Sequence, residues 1–130
     1  MENFIEVLKA LSAPTRLRIL RLLLSMEGAS LCVCEFVDAL EEPQYNVSRH
    51  LRILKQAGML SETKDGRWVY YSIRHNEVPL FIHLYQAVRS ISNDILEVDK
   101  QRLRDRLTLR KDGKCILGVQ KTSLLSRKAS

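Results

Sequence analysis

A mostly α fold with a β-hairpin wing is what this sequence predicts, and three observations predict it. Apolar residues recur at helical spacing from Phe4 to Leu54; the period then shortens around a single Asp65-Gly66; and a further helical run follows Pro79. The 130 residues, 45% hydrophobic and 28% charged, suit one domain with an ordinary core. That composition excludes a largely disordered chain. No run approaches the roughly 20 apolar residues of a membrane span. The N-terminus, Met1-Glu2-Asn3-Phe4-Ile5-Glu6, is acidic where a secretory signal is basic, so the expected location is cytoplasmic. Three cysteines are too few, and odd in number, for a disulfide framework, so reduced thiols are expected.

The elements follow in order. Phe4, Ile5, Leu8 and Leu11 form a helical stripe ending near Ser12. Pro14 suits the first position of the next helix, where its missing N–H would be unpaired anyway. Leu17, Leu20 and Leu24 continue that helix until Gly28. Ser30 is the expected cap of a third helix with stripe Val33, Phe36, Val37 and Leu40, which Glu41-Glu42-Pro43 breaks. A fourth helix spans about Gln44 to Ala57, with Val47, Leu51 and Leu54 inward and Gly58 as its stop. Glu62-Thr63-Lys64, Asp65-Gly66 and Arg67 to Ile73 read as a hairpin whose two central turn residues take positive φ. From Pro79 one long helix is expected, carrying Phe81, Leu84, Val88, Ile91, Ile95 and Val98 at gaps of 3, 4, 3, 4 and 3. That seam fits packing against another helix. In so small a domain it predicts a homodimer through the first and last helices.

Two short helices joined by a tight turn, then a hairpin, make a winged helix-turn-helix. The fourth helix has the surface of a reading helix: Gln44, Asn46, Ser48, Arg49 and Arg52 face outward, with Tyr45 and His50 close by. Asn and Gln pair with adenine, Arg with guanine, and hydroxyls with phosphate. At the hairpin tip, Lys64 and Arg67 flank Gly66, where a wing touches phosphates or the minor groove. Double-stranded DNA is the expected partner. Charge divides the chain further. Residues 1–100 hold 12 Lys/Arg against 13 Asp/Glu, whereas 101–130 hold 9 against 2, a net of +7. The expected division is 1–105 for DNA binding and dimerisation and 106–130 for a basic tail. Such a tail fits phosphate contact through counterion release, or else a solvated terminus.

Several runs together resemble one known family. Ala10-Leu11-Ser12-Ala13-Pro14-Thr15-Arg16-Leu17-Arg18-Ile19-Leu20 comes first; Val47-Ser48-Arg49-His50-Leu51, with Leu54 and Ala57-Gly58, is second. Gly66-Arg67-Trp68-Val69-Tyr70-Tyr71 is the third. In order and spacing they resemble the ArsR/SmtB repressors over about residues 3–98. The resemblance implies a homodimeric winged-helix repressor that leaves its operator when a metal or metalloid binds. Leu31-Cys32-Val33-Cys34-Glu35-Phe36 is similar to the cysteine signature of the arsenic-responsive branch. The resemblance therefore assigns As(III) or Sb(III) binding, arsenite or antimonite as inducer, to Cys32 and Cys34.

Chemistry agrees with that assignment. Soft thiolates select soft ions, As(III) favours a three-coordinate pyramid, and a helix N-terminus favours the thiolate. On a regular helix, residues i and i+2 lie about 200° apart. Cys32 and Cys34 are then expected on opposite edges of the third helix, so that binding unwinds its first turn. A coupling of ~1–3 kcal/mol would weaken operator binding roughly 5- to 150-fold. The family's third cysteine would stand at Val37. Cys115 is the remaining thiol. Either it folds back as a third ligand, from its own or the partner subunit, or the site is a dithiol completed by hydroxide or a small thiol. As a bystander it would be a free surface thiol.

Other functions fit the same fold. A thiol-redox repressor would use disulfides or persulfides, although a Cys-x-Cys disulfide is a strained ring. Cadmium and lead also favour thiolates. Zinc sensing on the last helix would need paired His and acidic residues, and His75, His83, Asp94 and Glu97 lack that spacing. No glycine-rich phosphate loop, paired carboxylates or nucleophile–base pair marks an enzyme. The sequence predicts an As(III)/Sb(III)-responsive repressor, not an enzyme.

Overall fold

The structure, a computed structural model, describes residues 1–26 and 28–121. Its order is α1 (Glu2–Leu11), α2 (Pro14–Ser25), β1 (Ser30–Cys32), α3 (Val33–Leu40), α4 (Gln44–Gln56), β2 (Leu60–Asp65), β3 (Trp68–Ile73), α5 (Pro79–Arg89) and α6 (Asp94–Leu107). The strands form one antiparallel sheet in the order β1-β3-β2. The expected winged helix-turn-helix is present: α3 and α4 are the helix pair, β2 and β3 the wing. Residues 122–130 of the expected tail lie outside the described residues.

The α-helices share one core. Leu20 and Leu23 of α2, Phe36 and Val37 of α3, and Leu51 and Leu54 of α4 are almost wholly removed from water. Burial of each large side chain is worth about 1.5–3 kcal/mol. An ion pair joins α2 to α6: Arg18 donates 2.8 Å bonds to both carboxylate oxygens of the buried Asp99. Gly58 ends α4 at φ +84°, a left-handed conformation that glycine adopts without steric cost. Its N–H bonds Lys55 O and the Met59 N–H bonds Leu54 O, a Schellman closure.

Four expectations need correcting. Ser30 does not cap α3: residues 30–32 extend as β1, because their backbone pairs with Ser72 to Tyr70 of β3, and Cys32 becomes the cap. The wing turn centres on Gly66-Arg67, not Asp65-Gly66, because Asp65 pairs with Trp68. Only Gly66 there takes positive φ (62°), as the first central residue of a type II′ turn requires. The long last helix is two helices. The side chain of Asn93 accepts the Leu96 N–H and restarts the helix after a break at Ser90–Asn93. The periodic pattern ran through that break because Ile91 still packs on the core from within it. Finally, α1 buries Val7 and Ala10, while Phe4, Ile5 and Leu8 of the expected stripe face out.

Candidate functional site

Three thiols from two distant segments meet at the start of α3. Cys32 is the extended last residue of β1 (φ −87°, ψ 159°), and Cys34 lies in the first turn of α3. Because Cys32 is in a strand, the rule placing i and i+2 on opposite helix edges does not apply to it. Both sulfurs face the same way, and the expected unwinding of the first turn is not needed to gather them. Cys115 Sγ lies 3.2 Å from Cys32 Sγ and 3.2 Å from Cys34 Sγ, and all three sulfurs fall within 4.8 Å of one another. All three residues are buried.

Cys115 reaches the site because the chain doubles back after α6. Lys111 and Lys114 exchange backbone hydrogen bonds of 2.9 and 3.0 Å around Asp112 (φ 53°) and Gly113 (φ 75°). This Asp-Gly has the two positive φ values that the sequence had suggested for the wing. The Cys115 N–H then donates to Tyr70 Oη at 2.9 Å, and Tyr70 is the residue of β3 paired with Cys32. One strand register thus positions the first and third thiols together. The carbonyl of Leu117 accepts from the thiols of Cys115 and Cys34, at 3.2 and 3.5 Å. Within the cluster the thiols titrate unequally. Cys32 is lowered to about 6, chiefly by the Cys34 thiol hydrogen-bonding its sulfur. Cys34 is raised, first by that same bond and then by burial, and burial also raises Cys115.

A ladder of ion pairs fastens this segment to α3. Arg102 meets Glu41 at 3.3 Å, Arg106 meets Asp38 at 2.6 Å and Arg110 meets Glu35 at 2.6 Å. Glu35 is fully buried and its Oε1 also accepts the Cys32 N–H at 2.9 Å, so Arg110 holds the residue that holds Cys32. Asp38 accepts the backbone N–H groups of Gln120 and Lys121 as well. Arg110 was placed beside Cys115 from the sequence, but none of these six residues was paired with another. The signal was present: acids three apart on α3 face arginines four apart on and beyond α6, both spacings that repeat on one helix face.

The face expected from the sequence to meet nucleic acid is α4 and the wing tip. Tyr45, Arg49 and Arg52 are exposed on α4, and Gln44, Asn46 and Ser48 are half-buried toward its N-terminal half. Lys64 and Arg67 are exposed at the wing. His50 is placed differently: it is 8% exposed, with Nδ1 3.0 Å from Arg16 Nη1 and Nε2 3.5 Å from Arg49 Nη2. Burial, then the charges of Arg49 and Arg16, lower its pKa and keep the ring neutral. Arg16 also donates to the Ala10 carbonyl at the end of α1, so His50 ties α4 to the chain's own first helix. An open cavity of about 410 Å³ separates the thiol site from this face, with Cys32 and Cys34 on one wall.

Known proteins carry the same arrangement of elements. Residues 13–62 match the family described as bacterial regulatory protein, arsR family. An uncharacterized HTH-type transcriptional regulator of Methanocaldococcus jannaschii is 45% identical over 83 residues, covering 64% of this chain and 91% of that protein. The chain belongs to the arsR family. Among other relatives of this arsR-family chain, an arsenic resistance transcriptional regulator of Pseudomonas putida is 41% identical over 100 residues, 76% of each protein. The solved structure of HlyU from Vibrio cholerae N16961 is similar with a TM-score of 0.55 and 31% identity, over 67% of this chain and 91% of that one. This member of the arsR family is accordingly a DNA-binding transcriptional repressor, and its relatives are regulators rather than enzymes. Among the described residues, no helix is long and apolar enough to cross a membrane.

Proposed function

We propose that this arsR-family chain is a repressor responsive to As(III) or Sb(III). It holds double-stranded operator DNA as a homodimer and releases it when Cys32, Cys34 and Cys115 bind the metalloid. The observation that carries this reading is the approach of three sulfurs to one point, with no other His, Asp or Glu grouped with them among the described residues. Three thiolates suit a trigonal ion, whereas structural zinc sites take four ligands. Charge favours the same choice. Arg110 and Arg106 already balance Glu35 and Asp38, so three thiolates around a trivalent ion leave the buried site neutral. A divalent ion would leave a buried negative charge, which is costly.

The test is an anaerobic titration of reduced protein on labelled operator with As(III), Cd(II) or a persulfide donor, repeated across pH. Arsenite is As(OH)3, and each thiol that replaces a hydroxide gives its proton to that hydroxide, which leaves as water, so binding to three thiols is proton-neutral. Where Cys32 is already a thiolate, above about 6, binding takes up one proton. Arsenite affinity is therefore expected to fall as pH rises past that point. Cd(II) displaces thiol protons, and its affinity rises with pH. Release by arsenite with falling affinity is the expected result; release by Cd(II) or persulfide alone would overturn the reading.

The proposed dimer draws support from what the chain leaves uncovered. Phe4, Ile5 and Leu8 of α1 are exposed, as are Ile95 and Val98 of α6. Phe81 and Val88 are already buried within the chain, and Leu84 and Ile91 pack on the core, so the proposed seam narrows to its last two members with α1. On the DNA side, Arg49→Ala is expected to weaken operator binding without altering the fold. If Arg49 meets a phosphate, the salt slope falls by about one unit; if it meets a base, discrimination falls by ~1–3 kcal/mol. Unchanged affinity in both Arg49→Ala and Gln44→Ala proteins would place the reading surface elsewhere.

A further inference from the structure

The imidazole of His50 is buried on α4 between two arginines. Nδ1 lies 3.0 Å from Arg16 Nη1 of α2, and Nε2 lies 3.5 Å from Arg49 Nη2 of its own helix. A guanidinium only donates, so Nδ1 accepts from Arg16 and the ring proton sits on Nε2. The other tautomer would turn N–H against N–H across the shorter gap. Arg16 is held from behind as well. Its Nε donates to the Ala10 carbonyl at 2.7 Å and its Nη2 to the Lys9 carbonyl at 3.4 Å, both at the end of α1. One acceptor nitrogen therefore closes a link from α1, through Arg16, to α4. Arg49, the residue before it, is exposed on the face where Gln44 and Arg52 also stand.

We propose that His50 is a positioning residue for operator binding, and that it holds α4 in place for DNA only while its ring is uncharged. The proposal rests on the reading of α4 as the element that meets DNA. An imidazolium carries N–H at both positions and has no acceptor left. A proton taken up at Nδ1 therefore removes the bond to Arg16. It also sets three positive charges side by side, because the charged groups that face the ring are Arg16 from α2 and Arg49 from α4, while α1 reaches it only through the carbonyls that hold Arg16. The ring is 8% exposed, so water screens that repulsion poorly. Relief comes by parting Arg16 from the ring, which unfastens α4 from α1. Burial and the two arginines hold the ring below the ordinary histidine value of 6.5, so it is neutral at neutral pH. The parted form takes the proton more readily than the linked one. Operator affinity is thus complete above about 6.5 and is lost as the pH falls below it.

The experiment follows the anisotropy of labelled operator with the reduced full chain, free of inducer, from about pH 7.5 to about 5.5. Wild-type affinity is expected to fall about ten-fold across that range. His50→Asn places an amide oxygen near the position of Nδ1, where it accepts from Arg16 without titrating, and its affinity should change by less than about two-fold. Arg16→Met breaks the link at every pH from the other side. It should bind at the neutral end about as weakly as wild type does at the acid end, and stay level across the range. Cys32, His75 and His83 titrate in all three proteins, so the comparison isolates His50. In wild type alone, nitrogen NMR shifts of the ring should report the Nε2–H tautomer at neutral pH and a midpoint that coincides with the loss of affinity. A level wild-type profile, a fall kept by both variants, or a ring that stays neutral while affinity falls would overturn the proposal. Failure of the α4 reading shows separately, as operator affinity at neutral pH unmoved by Arg49→Ala and Gln44→Ala.

Discussion

Cys34→Ser is expected to abolish release by arsenite while operator affinity stays within about two-fold, with at least a hundred-fold more arsenite, about 2.7 kcal/mol, needed for any response. The hydroxyl that replaces the thiol is a hard ligand with little attraction for a soft ion. Cys32→Ser should match it, because Glu35 holds the backbone N–H of residue 32 whichever side chain is present. Neither change removes a core side chain of α4 or the wing, so DNA binding survives. Cys115→Ser should weaken the arsenite response by about ten-fold or more, since two thiolates and a hydroxide then complete the pyramid. Anisotropy of labelled operator measures release, and arsenic X-ray absorption counts sulfurs, three in wild type and two in the Cys115→Ser protein. A Cys34→Ser protein released by arsenite like wild type would remove the site from consideration.

Asp38→Ala should be the most destabilising single change outside the apolar core. Asp38 and Arg106 are each only 4% exposed as side chains, and their 2.6 Å pair is joined by the backbone N–H groups of Gln120 and Lys121. Removing the carboxylate strands a buried guanidinium, at a cost of about 3–5 kcal/mol. For a domain of this size that lowers Tm by roughly 10–20 °C. It also frees the segment that carries Cys115, so the arsenite response should fall to that of Cys115→Ser. Pairing Asp38→Ala with Arg106→Met removes the stranded charge and should recover much of the stability. A loss below about 1 kcal/mol in thermal unfolding would show that the pair does not hold the segment.

The sequence made the helix-turn-helix and the wing legible because local rules decide them. Pro14 opens α2 and Gly58 closes α4 as their conformational preferences require, and the change of period at Leu60 marks the hairpin. The break at Ser90–Asn93 stayed hidden because Ile91 occupies the next apolar position without being helical. Asn93 ahead of Asp94 and Glu97 was the available sign of a restart. Cys32 and Cys34 were visible as a motif, but their shared direction depends on a strand pairing between Cys32 and Tyr70, a long-range contact that no local spacing encodes. The approach of Cys115 likewise depends on Arg110 finding Glu35, 75 positions away along the chain. The net charge of the tail pointed outward to phosphates, whereas Arg102, Arg106 and Arg110 are spent on the acids of α3.

The distance along the chain between Cys32 and Cys115 has a consequence for the lifetime of the protein. They are 83 positions apart, so an ion bonded to both closes a covalent ring through most of the domain. A ring of that size removes on the order of 4 kcal/mol of chain entropy from the unfolded state, as a disulfide there would. The inducer is then also a staple, present only while the signal is present. On the proposed reading, the chain with the ion bound is expected to unfold less readily than the same chain free of ion and operator, and to withstand heat and proteases longer until the ion departs.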